Sequence, residues 1–250
     1  MNLILIYLIL GILQGIFEWI PISSEGILAL ASKFLLKEKN PIDVALFLHL
    51  GTLIAIVVYF RKAWKDVLRY RNRHLLRFLI LATMTALPLG FLIYSVIRSS
   101  TVGNTLLLLM GGGLFFTAFF QKKGIRLHVN EDQLAVIAGA LQGLAVIPGV
   151  SRSGATIFGL SLGNVRPPET LRISYMMSTP VIVAAIIYLL FKNPALLIEG
   201  WPALISSALV GYFSLHILLH LSQKVNFFKF ALSFAVVCII GATIGFISGI

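Results

Sequence analysis

Six stretches of the chain, at about 44–61, 78–98, 104–121, 173–191, 202–221 and 230–249, are each apolar for close to twenty residues. A run of that length matches the ~20 residues an α-helix needs to cross the ~30 Å hydrocarbon core of a bilayer. Lipid offers no partner to an open backbone group, so each run must close its own hydrogen bonds as a helix. The composition agrees. The chain is 58% apolar and only 12% charged, whereas an ordinary soluble chain carries ~25% charged residues. The expected fold class is an all-α integral membrane protein, and a water-soluble domain is excluded.

Two further regions, 2–35 and 134–164, are apolar but interrupted. The first runs to Leu13, breaks at QGIFEWIPISSEG and resumes as ILALASKFLL; the second reads AVIAGALQGLAV, IPGVSRSG, ATIFGLSLG. Pro21 and Pro148 cannot continue a helix, and the Ser and Gly residues that follow favour a turn and a new helix cap. Each half is too short to cross, so each region is expected to be a re-entrant helical hairpin. The breaks also match one another: Gln14-Gly15, Ile20-Pro21 and Ser23-Ser24 parallel Gln142-Gly143, Ile147-Pro148 and Ser151-Arg152-Ser153. A hairpin returns to its own side and three crossings change side, so the second half is expected upside down relative to the first. The chain then reads as one membrane domain, 1–250, built as an inverted-topology repeat. Repeat one is 1–121, with hairpin 2–35 and spans 44–61, 78–98 and 104–121. Repeat two is 131–250, with hairpin 134–164 and spans 173–191, 202–221 and 230–249. Paired, interrupted segments of this kind point to a site near the bilayer midplane.

Charge orients this layout. One side receives Arg61, Lys62, Lys65, Arg69, Arg71, Arg73, Arg77, Lys122, Lys123, Arg126, Arg166, Arg172, Lys224 and Lys229; the other receives Lys33, Lys37, Lys39, Arg98 and Lys192. The positive-inside rule places the richer side in the cytoplasm. Expected localisation is the cell membrane, multi-pass, with both termini on the outer side. The net charge of +11 is explained by this orientation, and no nucleic-acid partner is expected. MNLILIYLILGILQG has no basic leader region or small-residue cleavage site, so it does not read as a removable signal. Cys238, the lone cysteine, excludes an internal disulfide framework. Trp19, Trp64 and Trp201 read as interface anchors.

The chemistry is carried by the few ionisable groups at membrane depth, where they are costly and mark function. Glu18 and Glu25 are the carboxylates within an apolar region, Gln14 and Glu18 share a helical face at i, i+4, and Arg152 is the strong cation outside the flanking loops. With the hydroxyls of Ser23, Ser24, Ser151, Ser153 and Thr156 these form a phosphate site. Arginine grips phosphate with a bidentate fork, and the half-helices after SSEG and SRSG aim free N–H groups at the same point. Carboxylates repel phosphate unless one acts as a base or both hold a divalent cation, for which oxygen ligands favour Mg²⁺ or Ca²⁺; Glu18 and Glu25 are the expected ligands. Ser24 and Ser153 are expected to cap the half-helices more than Ser23 and Ser151. The remaining histidines offer less: His216 and His220 read as interfacial packing, His74 and His128 as solvated.

These residues resemble the undecaprenyl-diphosphate phosphatase family, also known as the bacitracin-resistance family. QGIFEWIPISSEG is similar to its acidic motif and Pro-x-Ser-Ser turn, PGVSRSGAT to its phosphate loop, and the likeness extends through DVALFLHLGTLIAIVVYF and RISYMMSTP. The resemblance implies hydrolysis of a polyprenyl diphosphate lipid to the monophosphate and inorganic phosphate, recycling the lipid carrier of envelope glycan synthesis. It implies six crossings, two re-entrant hairpins and a metal-assisted site between them. Gln14 and Glu18 then fill the acidic motif, Ser23 the turn hydroxyl, and Ser151, Arg152, Gly154 and Thr156 the phosphate loop. The family turn SSTGH is SSEGI here, with Glu25 at the Thr position and Ile27 at the His position, and His49 stands where the family has Gln. His49 is grouped with the substrate-binding side chains, as a structural histidine or as the missing imidazole. The nucleophile is left open among Ser23, Ser151 and a water activated by Glu18. The rival reading is a transporter or flippase of a lipid phosphate using the same midplane site, and a homodimer is compatible with the sequence.

Overall fold

The structure is a computed structural model. It describes residues 2–20, 23–36, 41–100, 105, 108, 111–113, 115, 128–147, 149–163, 165–221, 232, 235–236 and 238–243. Every regular element among these residues is an α-helix. Pro21, Pro148 and most of the expected spans 104–121 and 230–249 lie outside the described residues.

The first interrupted region forms α1, Leu3–Phe17, and α2, Ser24–Leu36. Asn2 caps α1 by accepting from Ile4 N at 3.1 Å, and the helix ends where the Glu18 N–H donates to Gln14 O at 3.0 Å. At 1.5 Å per residue α1 is about 22 Å long, short of the ~30 Å apolar core. The long helices α3, Pro41–Tyr59, and α5, Arg73–Ser100, follow, separated by a short α4, Arg61–Leu68. The sequence placed only a basic loop at α4. The helix forms because Trp64 and Val67 recur at i, i+3 and pack with Leu75, Phe78 and Leu79, while Arg61, Lys62 and Lys65 stay exposed.

The second interrupted region repeats the pattern with α6, Glu131–Leu144, and α7, Arg152–Leu162. Asn130 and Gln133 close a reciprocal capping box on α6, at 2.9 and 3.0 Å. Then come α8, Pro167–Lys192, a single turn α9, Ala195–Glu199, and α10, Trp201–Leu221. Helices α3, α5, α8 and α10 are each long and apolar enough to cross a membrane, and they coincide with four of the six expected spans. Their outer faces carry exposed Ile80, Met84, Phe91 and Leu92 on α5 and Leu209 and Phe213 on α10, which suits contact with lipid tails.

The two short first half-helices pack across the molecule. Helix α1 lies chiefly against α10, and α6 chiefly against α5, while α3 touches α1, α2, α8 and α10. Both short helices carry nearly the same sequence at the crossing, Gly11-Ile-Leu-Gln-Gly15 and Gly139-Ala-Leu-Gln-Gly143, differing only in Ile12 against Ala140. A Cβ on Gly15 would sit 2.7 Å from Gly211 N, and one on Gly139 would sit 2.4 Å from Ala82 O. Small residues let backbones meet where lipid gives no hydrophobic drive for association. These crossings bring the two interrupted loops together over α3.

Candidate active site

Glu18 stands at the end of α1 with its side chain 1% exposed. Its Oε2 accepts from Gln14 Nε2 at 3.0 Å and from Ser24 Oγ at 2.9 Å, and lies 3.2 Å from His49 Nε2. Its Oε1 accepts from Arg152 Nη2. Gln14 is held in turn by donating to Thr52 Oγ1 at 3.1 Å. His49 Nδ1 donates to Ala45 O at 2.8 Å. One carboxylate from the first loop thus gathers groups from α1, α2, α3 and α7.

The two loop tips are also joined through backbone. Ser23 Oγ accepts from Gly26 N at 3.2 Å, capping α2, and from Gly149 N at 2.9 Å in the second tip. Gly149 has φ 97°, a left-handed conformation that glycine enters without steric cost. Ser151 caps α7 by accepting from Gly154 N at 3.1 Å, and its Oγ lies 3.2 Å from Ser153 Oγ. The expectation that Ser24 and Ser153 are the caps is therefore corrected. The cap position must precede the first helical residue, and those residues are Ser24 and Arg152, so Ser23 and Ser151 hold it.

Between the tips lies a small pocket, about 20 Å³ of cavity. Glu18, Ser23, Ser24, Glu25, His49, Ser151, Arg152 and Ser153 line it, closed by Ala145 and Val150. Eight of the eleven expected site residues are thus brought together. Three stand behind them. Gln14 is fully buried and holds Glu18. The Gly154 N–H is spent on the Ser151 cap. Thr156 is buried one turn into α7, with Oγ1 donating to Arg152 O at 2.9 Å and 2.6 Å from Ser174 Oγ. Ile27 packs with the apolar cluster around Leu28 and Phe47.

Trp19 is a second correction. An interface anchor would be half-exposed, yet Trp19 is 1% exposed. Its Nε1 donates to Gly211 O at 2.9 Å and Ser214 Oγ at 3.0 Å, and its ring meets Tyr175 edge-on at 5.3 Å. Tyr175 OH donates to Trp19 O at 3.1 Å, so the pair braces the bend after α1. Thr52, Gly149, Ser174 and Tyr175 support the site and were not singled out from the sequence. PGV before SRSG was the available signal for Gly149. Thr52, Ser174 and Tyr175 lie in HLGT and RISY, where nothing but tertiary contact distinguishes them.

The donor set decides how a divalent cation would fit. All the partners around Glu18 are donors, and both its oxygens are taken. Glu25 has no hydrogen bond or ion pair among the described residues, and no group of three His, Cys, Asp or Glu side chains disposed to hold a metal occurs among them. Glu25 is thus the pocket carboxylate left open to a cation, and no closed protein-made cage is present among the described residues.

Residues 7–243 match the family described as bacitracin resistance protein BacA. The chain belongs to this family. Relatives match the chain along most of their own length. It is 35% identical to an undecaprenyl-diphosphatase of Haloarcula marismortui over 100% of this chain and 98% of the relative. Another undecaprenyl-diphosphatase, from Methanothrix thermoacetophila, is 31% identical over 92% of this chain and 93% of its own. A third, from Saccharolobus solfataricus, is 36% identical over 74% and 73%. The segments around Glu18 and Arg152 both lie within the matched residues, and the structure brings them into contact.

Ser23→Ala tests the link between the tips. It removes the hydroxyl that accepts from two backbone N–H groups, on Gly26 and Gly149, and a buried N–H that loses its acceptor costs ~1–3 kcal/mol. The thermal midpoint in detergent is expected to fall by several degrees. A midpoint equal to the parent's would show that the tips are held by something else.

Proposed function

We propose that this chain is a membrane phosphatase that hydrolyses a polyprenyl diphosphate of the undecaprenyl type to the monophosphate and inorganic phosphate, recycling the lipid carrier of envelope glycan synthesis. The observation that carries the proposal is the pairing of Arg152 with Glu18 in a pocket where two helix N-termini converge. The family membership and the activity named for its relatives support the same substrate.

In this reading Arg152 and the N-terminal N–H groups of α2 and α7 bind the terminal phosphate, an anion site of the kind helix N-termini provide. Ser23, Ser151 or a water oriented by Glu18 attacks the terminal phosphorus. Phosphoryl transfer is mostly positioning and charge stabilisation, so a preorganised pocket of this kind is the main catalytic device. Ser24 and Ser153 border the phosphate. A divalent cation, Mg²⁺ or Ca²⁺, held through Glu25, would neutralise diphosphate charge when bound. The remaining architecture is six crossings and two re-entrant hairpins in an inverted repeat, supported by the reciprocal packing of α1 on α10 and α6 on α5. The bias in basic residues supports both termini lying outside the cell.

Purified protein in detergent, given a polyprenyl diphosphate with Mg²⁺ or Ca²⁺, is expected to release inorganic phosphate, and to stop when a chelator is added. No phosphate release under any divalent ion would exclude the phosphatase and leave a lipid-phosphate transporter.

A further inference from the structure

The segment 61–77 joins α3 to α5, and both helices are long and apolar enough to cross a membrane. It therefore lies at a bilayer surface, whichever side that is. Arg61, Lys62, Lys65, Arg69 and Arg73 are exposed in it, and none meets a carboxylate within ion-pair distance among the described residues. The segment's single acid, Asp66, lies 3.9 Å from Arg71, an exposed pair of little strength. A bias of charge toward one side of a membrane needs only a loop. Here the cations stand on a helix with a built orientation. Trp64 and Val67 of α4 pack with Leu75, Phe78 and Leu79, which turns Lys62, Lys65 and Arg69 outward. Leu68 follows Arg61 by seven residues and Trp64 by four, so it sits on the flank between them, and it is 73% exposed. The helix then ends in a turn whose bonds run from Arg71 N to Asp66 O at 2.9 Å and from Tyr70 N to Val67 O at 3.0 Å. Tyr70 takes the left-handed position of that turn, with φ 58°, where glycine is usual and a bulky residue is strained. It is 66% exposed. Two large apolar side chains are thus held out among unpaired cations.

We infer that α4 and the turn after it form a docking surface for anionic phospholipid headgroups, with Arg61, Lys62, Lys65 and Arg69 on the phosphates and Leu68 and Tyr70 in the acyl boundary beside them. Interfacial amphipathic helices lie at this depth, their cations among headgroups and their apolar side chains below. Charge complementarity selects the occupant: each Lys or Arg near an anionic bilayer surface strengthens the attraction by about fivefold, and a zwitterionic headgroup offers no net charge to meet. The surface is distinct from the pocket between the tips, which no residue of 61–77 lines, so the inference does not rest on the diphosphate reading. It does bear on the same helices. Trp64 and Val67 share their apolar cluster with Leu134 and Ala138 of α6 and Leu160 of α7, so a headgroup that fixes α4 also braces the region that carries Arg152.

The test titrates the purified full chain, in nonionic detergent at low salt, with phosphatidylglycerol carrying a fluorescent acyl chain. Phosphatidylcholine with the same label is the comparison, and binding is read by anisotropy. The parent is expected to favour phosphatidylglycerol by about tenfold or more, and to lose most of that preference as salt screens it. Arg61→Gln/Lys62→Gln/Lys65→Gln/Arg69→Gln changes only exposed positions, so its thermal midpoint is expected to match the parent's while the preference falls to about twofold. Lys62→Gln/Lys65→Gln is the milder version, should the fourfold variant not fold, and is expected to lose part of the preference. Leu68→Ser/Tyr70→Ser is expected to weaken both lipids by a similar factor and leave the preference standing. A parent without preference, or charge-depleted protein that keeps it, would overturn the inference. Parent-like affinity in Leu68→Ser/Tyr70→Ser would also overturn it, since the surface would then suit a soluble polyanion rather than a lipid. So would displacement of the labelled phosphatidylglycerol by a prenyl methylenediphosphonate, which would place that lipid in the pocket between the tips.

Discussion

Arg152→Ala is expected to lower phosphate release from a polyprenyl diphosphate by about three orders of magnitude, the range seen when a phosphate-binding arginine is lost in phosphoryl transfer. The size of the effect follows from scarcity. Arg152 is the cation that lines the pocket together with Ser23 and Ser151, and among the described residues no Lys or other Arg lines it. Its surroundings are largely excluded from water, where charge stabilisation is stronger than in solvent. Arg152→Lys supplies a point charge without the planar fork and is expected to recover only part of the rate.

The same substitution also strands Glu18, so activity alone would mix lost chemistry with lost stability. Breaking a buried pair costs about 3–5 kcal/mol. The double variant Arg152→Ala/Glu18→Gln removes both charges and is expected to regain much of the thermal midpoint while remaining inactive. Arg152→Ala protein that is folded and releases phosphate at the parent rate would exclude Arg152 from the reaction.

The site was legible in the sequence because charge at membrane depth is rare. Glu18, Glu25 and Arg152 stand out within apolar surroundings, and each does line the pocket. The serines were legible as a set but not in their roles, since capping depends on which residue starts the helix. Trp19 was misread because tryptophan at the edge of an apolar run commonly marks the interface. What buries it is α10, far along the chain, whose Gly211 carbonyl and Ser214 hydroxyl accept its N–H. Thr52 and Ser174 were silent for a similar reason: a hydroxyl within a span has no signature until its partner on another helix is known. Helix α4 was hidden by its charges, which dominate a composition reading while its two core-facing residues, Trp64 and Val67, anchor it. The four long helices were the easiest to read, because length and hydropathy suffice for them.

Gly139→Leu is expected to prevent accumulation of folded protein. A Cβ at position 139 would lie 2.4 Å from Ala82 O, 2.8 Å from Ala82 Cα and 3.0 Å from Ala82 C. These are backbone atoms of α5, so no side-chain rotation relieves the clash; the helices must separate. Separation would loosen the cluster in which Leu79 and Ala82 pack with Leu134, Ala135 and Ala138, and overpacking of a tight interface costs about 1–3 kcal/mol or more. The site would suffer with it, because α6 leads into the tip that carries Gly149 and Arg152. Gly139→Ala, with a single added methyl, is expected to fold with a lowered midpoint and reduced phosphate release. Gly112→Ala is the control: nothing lies within 4 Å of a Cβ built there, and alanine is the better helix former by about 1 kcal/mol, so its midpoint is expected to equal or exceed the parent's. Elution as a single folded species at the parent midpoint by Gly139→Leu would rule out the close approach of α6 to α5. The two glycine pairs predict the same ranking at Gly11, whose Cβ would meet Ala203 O at 2.4 Å, so the pair of crossings, rather than any one contact in the pocket, keeps Glu18 opposite Arg152.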